Sequence, residues 1–237
     1  MLQCDLNCDM GEGFGNDELI MPYITSANIA CGYHAGDEKT MLQTILLAKK
    51  HNVNIGAHPS FLDRGNFGRT EMKFSPQEVY ELVSKQIIFL QKIAAKNEAA
   101  LHHVKPHGAL YNMAAKEKAL AKAIAHAVKD CDKNLVLYGL SNSFLISEAK
   151  AILLETASEV FADRTYQDDG GLTPRSQPNA SIENIDEAIQ QVLMMLNKGK
   201  VKTVSGKEIS IVAETICIHG DGEHAVEFAK AIHSILQ

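Results

Sequence analysis

Four of the ten histidines stand directly after segments that alternate like β-strands. His34 lies in Cys31-Gly32-Tyr33-His34-Ala35-Gly36-Asp37, His58 in His58-Pro59, His107 in Lys105-Pro106-His107-Gly108, and His219 in Cys217-Ile218-His219-Gly220-Asp221. The first alternating segment, Gln3-Cys4-Asp5-Leu6-Asn7-Cys8-Asp9, puts Asp5, Asn7 and Asp9 on one face at a period of two. Taken singly, each signal is met by a histidine bonded to a loop carbonyl, and Asp37 and Asp221 are equally suited to capping a helix. Taken together, histidines, Lys105 and carboxylates at successive strand ends read as an active site, because burying so many ionisable groups without a use is costly. His51, His126, His224 and His233 fall in helical segments and read as structural or solvated; His102 is unassigned, and alternation lets His103 share a face with Lys105.

All four arginines fall in two loops: Arg64 and Arg69 after one strand, Arg164 and Arg175 after another. Guanidinium pairs in bidentate fashion with carboxylate or phosphate, so these loops either recognise an anionic ligand or are pinned internally through Asp63 or Asp163. The stretches 61–73 and 166–180 have no periodicity of their own, as functional loops often lack it.

The elements that must position these residues are βα units. Strand-like runs at 2–9, 24–31, 53–57, 103–106, 135–139, 160–163 and 211–218 alternate with helical patterns. Ser75-Pro76-Gln77-Glu78 is a capping box followed by Val79, Leu82, Val83, Ile87 and Leu90 on one face. A second helix is predicted from Ser181, and the alternation at 200–209 around Ser205-Gly206 predicts an exposed hairpin. No linker divides the chain. The expected fold is therefore one α/β domain over residues 1–237, an irregular seven-stranded (β/α) barrel, with an open doubly wound sheet as the alternative.

At 237 residues, with 46% apolar and 22% charged side chains, the composition is that of a soluble globular domain. The net charge of −6 gives no basic face for nucleic acid or an anionic membrane. Cys4, Cys8, Cys31, Cys131 and Cys217 have neither disulfide nor zinc spacing. With strand-like alternation starting at Leu2 and no apolar run of membrane length, the expected location is cytoplasmic. Three motifs are refused. The 199–207 stretch spaces its glycines too widely for a phosphate loop, Gly11-Glu12-Gly13-Phe14-Gly15 has Asn16 where a dinucleotide fingerprint needs glycine, and no G-x-S-x-G elbow occurs.

In order along the chain, the segments Asp5-Leu6-Asn7-Cys8-Asp9-Met10-Gly11-Glu12, Ala27-Asn28-Ile29-Ala30-Cys31-Gly32-Tyr33-His34-Ala35-Gly36-Asp37, Ile55-Gly56-Ala57-His58-Pro59, Val104-Lys105-Pro106-His107-Gly108-Ala109-Leu110-Tyr111, Glu159-Val160-Phe161-Ala162-Asp163-Arg164 and Cys217-Ile218-His219-Gly220-Asp221 resemble the LamB/YcsF family, the A-type subunits of 5-oxoprolinases. The resemblance implies a barrel of the glycoside hydrolase/deacetylase type that works with two partner subunits, B and C. The assembly would open 5-oxo-L-proline to L-glutamate with hydrolysis of ATP. A missing phosphate loop fits a division of labour in which the partners handle ATP. Under this reading Asp9 or His58 is the general base, Lys105 and His107 stabilise the oxyanion or phosphate, and Asp163 and His219 orient them. Asn7, Asn28, His34 and the arginines Arg64, Arg69, Arg164 and Arg175 would bind substrate, the arginines through its carboxylate. Two rival readings are a stand-alone metal-dependent hydrolase acting on an N-acyl or carbohydrate substrate, with Asp9, His34 or His58 and His219 on a divalent ion, and a non-catalytic scaffold within the assembly. The metal is left uncommitted.

Overall fold

The computed structural model describes residues 4–222 and 224–236, so the expectation that the first strand begins at Leu2 falls partly outside them. Along the chain come β1 (Asp5–Met10), α1 (Asp17–Ile20), β2 (Ser26–Ala30), α2 (Glu38–His51), β3 (Asn54–His58), α3 (Pro76–Lys96), β4 (His103–Val104), α4 (Gly108–Lys116), α5 (Lys118–Cys131), β5 (Val136–Leu140), α6 (Phe144–Ala151), β6 (Thr156–Phe161), α7 (Ile185–Lys198), β7 (Lys200–Lys202), β8 (Glu208–Ser210), β9 (Thr215–Ile218) and α8 (Ala225–Leu236). Seven strands close into a parallel barrel in the order β1-β2-β3-β4-β5-β6-β9, with β9 pairing to both β6 and β1. The closed barrel settles the choice against the open sheet.

Alternation within the strands explains the two sides of the wall. In β1, Leu6, Cys8 and Met10 join the apolar layer, while Asn7 and Asp9 reach polar partners on other strands. The apolar layer fills the space between barrel and helices: Val79, Val83, Ile87 and Leu90 of α3 are wholly buried in it. The capping box at Ser75 is formed in full, with the Glu78 amide donating to Ser75 Oγ and Glu78 Oε2 accepting from the Ser75 amide at 2.7 Å. Asp37 caps α2 by accepting from the Thr40 amide at 2.8 Å.

Several boundaries differ from expectation. The helix expected from Ser181 starts at Ile185, capped by Asn184, because Ser181 bridges back to Arg164 and the Ile182 amide donates to the Asp163 carbonyl. β6 begins at Thr156, four residues earlier than expected, and β9 at Thr215, four later. Asp221 lies ahead of α8 and spends its carboxylate on Arg69 at 3.0 Å. The expected hairpin is present as β7 and β8, antiparallel and outside the barrel. Among the described residues no helix is long and apolar enough to cross a membrane.

Candidate active site

A polar network threads the barrel and ends at the C-terminal mouth. Asn28 of β2 donates from Nδ2 to Asn7 Oδ1 and Asp9 Oδ1, both at 2.8 Å, and its Oδ1 accepts from His103 Nε2 at 2.7 Å. Beneath this, Asn7 donates to Thr215 Oγ1 at 2.7 Å. Lys105, one residue past β4, brings its ammonium to the middle of the network. Nζ donates to Asp9 Oδ1 at 2.9 Å, Asn7 Oδ1 at 3.3 Å and Cys217 Sγ at 3.0 Å, and stands 3.0 Å from Glu159 Oε1. Tyr111 of α4 donates to the other Glu159 oxygen at 2.6 Å. Burial opposes charge on both Asp9 and Lys105, and is outweighed. His58 and Lys105 hold the Asp9 carboxyl well below the usual carboxylate range, while Asp9, Cys217 and Glu159 hold the Lys105 ammonium well above that of free lysine.

Three imidazoles and Glu12 form the second part of the mouth. His58 Nδ1 lies 2.7 Å from the Lys105 carbonyl, which can only accept, so Nδ1 carries the hydrogen. His58 Nε2 is then left 3.3 Å from Asp9 Oδ2 and 2.9 Å from His107 Nδ1. By the same logic His107 donates from Nε2 to the Phe67 carbonyl at 2.9 Å, and its Nδ1 is a lone pair. His34 lies flat on His107, centroids 3.8 Å apart, and its Nε2 meets Glu12 Oε1 at 3.0 Å. Glu12 is carried by a tight turn in which Gly11, Gly13 and Gly15 all have positive φ, so three glycines rejected as a nucleotide motif shape the loop that delivers this carboxyl. Burial, reinforced by Asp9 and Asp221, raises the Glu12 carboxyl well above its ordinary range. His34 is lowered to about 2, chiefly by burial and then by His58, and burial followed by His34 and His58 also keeps His107 well below the imidazole range.

The third part pairs the ends of β6 and β9. His219 Nδ1 lies 2.9 Å and 3.0 Å from the two oxygens of Asp163, which also accepts the His219 amide at 2.9 Å. Among the described residues no hydrogen-bond partner of its Nε2 is found, and the ring lines the cleft. Contact with His219 holds the Asp163 carboxyl low against the raising effect of burial.

The three parts meet at a cleft of about 520 Å³. Asp9, His58, Lys105, His107 and His219 line it, as do Arg69, Arg164 and Arg175. Arg64 does not: its guanidinium donates to the Gly32 and Gly36 carbonyls at 2.9 Å each, tying the post-β2 loop to its own. Arg164 is buried and donates to the Ala180 and Thr173 carbonyls, so its main work is holding its own loop, though with neither Asp63 nor Asp163 as the anchor. Arg69 pairs with Asp221 and covers the Phe67 ring at 5.0 Å. Asn7, Asn28 and Asp163 lie outside the cleft lining and act on residues that line it, and His34 sits behind Glu12 and His107. Sequence reasoning did not single out Glu12, Tyr111 or Glu159. A carboxyl in a glycine-flanked loop directly after a strand was the available signal for Glu12. Among the described residues, donor atoms that lie within 4.8 Å of one another, close enough to share a cation, come in two groups: Glu12, His34, His58 and His107, and Asp9, Cys217 and His219. The metal set expected from sequence, Asp9, His34 or His58 and His219, is thus divided between them.

A closed seven-stranded parallel barrel with carboxylates, imidazoles and an ammonium at its C-terminal mouth defines a (β/α)-barrel protein with a hydrolase-type site. Residues 4–237 match the LamB/YcsF family, and the chain belongs to it. It is 56% identical to the A subunit of 5-oxoprolinase from Bordetella pertussis, over 98% of this chain and 94% of that protein. It is 57% identical to the corresponding A subunit of 5-oxoprolinase from Shouchella clausii at the same coverage. Among solved structures, the lactam utilization protein from Thermus thermophilus superimposes with a TM-score of 0.90 at 42% identity, covering 99% of this chain and 96% of that one.

Proposed function

We propose that this chain is the ring-opening component of an ATP-dependent 5-oxoprolinase, working with B-type and C-type partners to convert 5-oxo-L-proline to L-glutamate with hydrolysis of ATP to ADP and phosphate. The observation that carries the reading is the near-full-length identity of 56% and 57% to two 5-oxoprolinase A subunits, over a barrel whose mouth gathers carboxylates, imidazoles and an ammonium. The lactam utilization protein's name points the same way, and favours a lactam over the N-acyl or carbohydrate substrate of a stand-alone deacetylase.

An unstrained lactam resists water, so the partners, which would supply the phosphate-binding machinery this sequence lacks, transfer the ATP γ-phosphoryl to the amide oxygen and release ADP. Water then adds to the activated carbon, the ring C–N bond breaks with protonation of the amine, and hydrolysis of the resulting acyl phosphate gives glutamate and phosphate. His219 is the general base: Asp163 holds its Nδ1 hydrogen and leaves Nε2 open to the cleft. Asp9, whose carboxyl is held far below neutrality, is a weak base, and serves to fix Lys105, whose ammonium faces the developing negative charge. His107 already donates its one hydrogen to Phe67, so oxyanion stabilisation falls to the positive charge of Lys105, which turns an N–H from Asn7 or Cys217 toward the substrate. Arg69 and Arg175 are placed on the cleft wall to take the substrate carboxylate.

The test supplies 5-oxoproline, ATP and magnesium to this chain alone, to the B-type and C-type partners alone, and to all three, following glutamate and ADP separately. Glutamate only from the three together is expected. His219→Ala should abolish glutamate while any ADP formation by the partners persists; a chain that adds nothing to the partners, or a His219→Ala chain that still yields glutamate, overturns the assignment.

A further inference from the structure

We propose that Glu12, His58 and His107 bind one divalent transition-metal cation, with His34 positioning Glu12 and not ligating. Four observations carry this. First, the outer nitrogen of each ring donates to a backbone carbonyl, which leaves His58 Nε2 and His107 Nδ1 facing each other at 2.9 Å with at most one proton between them. A pair of buried nitrogens this close is held by one positive centre, which is a shared proton or a metal ion in its place. Second, those outer bonds, to the Lys105 and Phe67 carbonyls, are the kind of support that fixes metal-binding imidazoles. Third, Glu12 Oε1 is 3.6 Å from His107 Nδ1, beside the 2.9 Å between the two imidazole nitrogens. Bonds of about 2.0–2.2 Å to zinc or a similar ion put neighbouring ligand atoms roughly 2.9–3.6 Å apart, which spans these separations. Fourth, the donor set is buried, the side chains of Glu12, His58 and His107 being at most 7% exposed, so a bound ion is held largely out of water.

His34 falls outside the ligand set on geometry. Its ring is within 6° of parallel to His107, at 3.8 Å, so no single ion can lie in both ring planes, where the lone pairs point. Its Nε2 instead holds Glu12 Oε1 at 3.0 Å. Imidazole nitrogens with one carboxylate select zinc, manganese or cobalt over magnesium or calcium. Three protein donors leave a coordination position open, and all three line the cleft.

The experiment uses the full-length, tag-free chain without substrate or partners, so its outcome is independent of whether glutamate forms. Zinc, manganese and cobalt are each titrated by equilibrium dialysis with elemental analysis, and the cobalt form is read by its visible absorption. One ion per chain is expected, with affinity at least 100-fold lower in His58→Ala and His107→Ala, and with one ion still bound in His34→Phe, which keeps the stacked ring. Should either alanine variant fail to fold, as judged by circular dichroism, the wild-type stoichiometry and a cobalt spectrum of mixed nitrogen and oxygen ligation decide. No bound ion at micromolar free metal means that the two imidazoles share a proton instead and overturns the proposal, as do undiminished binding in a folded His107→Ala chain and lost binding in a folded His34→Phe chain.

Discussion

A single methyl group at Gly56 tests the polar network from its most crowded point. Gly56 of β3 is paired in register with His103 of β4, and a Cβ at that position would fall 2.1 Å from Nε2, 2.3 Å from Cδ2 and 2.4 Å from Cε1 of the imidazole. The ring has little freedom to retreat: it is fully buried and lies on Tyr138 with centroids 4.1 Å apart. Gly56→Ala must therefore distort the β3–β4 seam or expel the ring and break its bond to Asn28. Overpacking of this kind costs about 1–3 kcal/mol, and a lost buried hydrogen bond adds roughly 1 kcal/mol. The expected loss is about 2–4 kcal/mol, which in a chain of this size lowers the melting temperature by roughly 5–15 °C. The control is His103→Ala, which removes the obstructing ring. In that background Gly56→Ala should cost less than about 0.5 kcal/mol, giving a coupling of about 2 kcal/mol or more in a double-mutant cycle read by urea and thermal unfolding. A Gly56→Ala chain as stable as wild type, or one with the same penalty in both backgrounds, would refute the reasoning.

Tyr111→Phe deletes the hydroxyl that donates to Glu159 at 2.6 Å and leaves a buried carboxyl oxygen without its partner; a loss of roughly 1–3 kcal/mol in urea unfolding is expected. Asp168 accepts from Thr203, Ser205 and Lys207, and these bonds, Lys207 foremost, depress its carboxyl far below the usual range. Because the folded value is the lower one, the clamp's contribution is complete above the unfolded-state value of about 3.9 and is lost as pH falls through the folded one. Hydrogen exchange at the β7–β8 turn should accordingly stay slow at pH 5 and rise only in strong acid, and Asp168→Asn should speed it at neutral pH. Burial pushes the Cys31 thiol up to about 12 and Cys8 and Cys217 well above the usual thiol range, so none of the three should react with iodoacetamide at pH 8 until denaturant is added.

Much of the barrel was legible because its signals are local and periodic. Alternation located all seven barrel strands, and the capping box at Ser75 fixed the start of α3 to the residue. Where boundaries moved, distant partners had decided: Ser181 bridges to Arg164 instead of capping, and the 211–214 segment turns toward Gly199 and Ser158 before β9 begins. In the site, strand-end position found Lys105, His107 and the Asp163–His219 pair. It could not find Glu159, an acid in the buried register of β6 whose charge makes sense only beside an ammonium brought in from β4. Nor could composition distinguish arginines that face the cleft from Arg64, which ties two loops together through their carbonyls.

Closure of the barrel by β9 against β1 has a consequence for synthesis. Asp9 and His219 stand 210 positions apart, yet both border one cleft, and Cys217 and Thr215 complete contacts to Lys105 and Asn7. A nascent chain lacking its final tenth keeps an unsatisfied strand edge on both β1 and β6 and lacks the His219 partner of Asp163. Ribosome stalling or a late frameshift thus yields an open, edge-exposed barrel prone to pair with other chains.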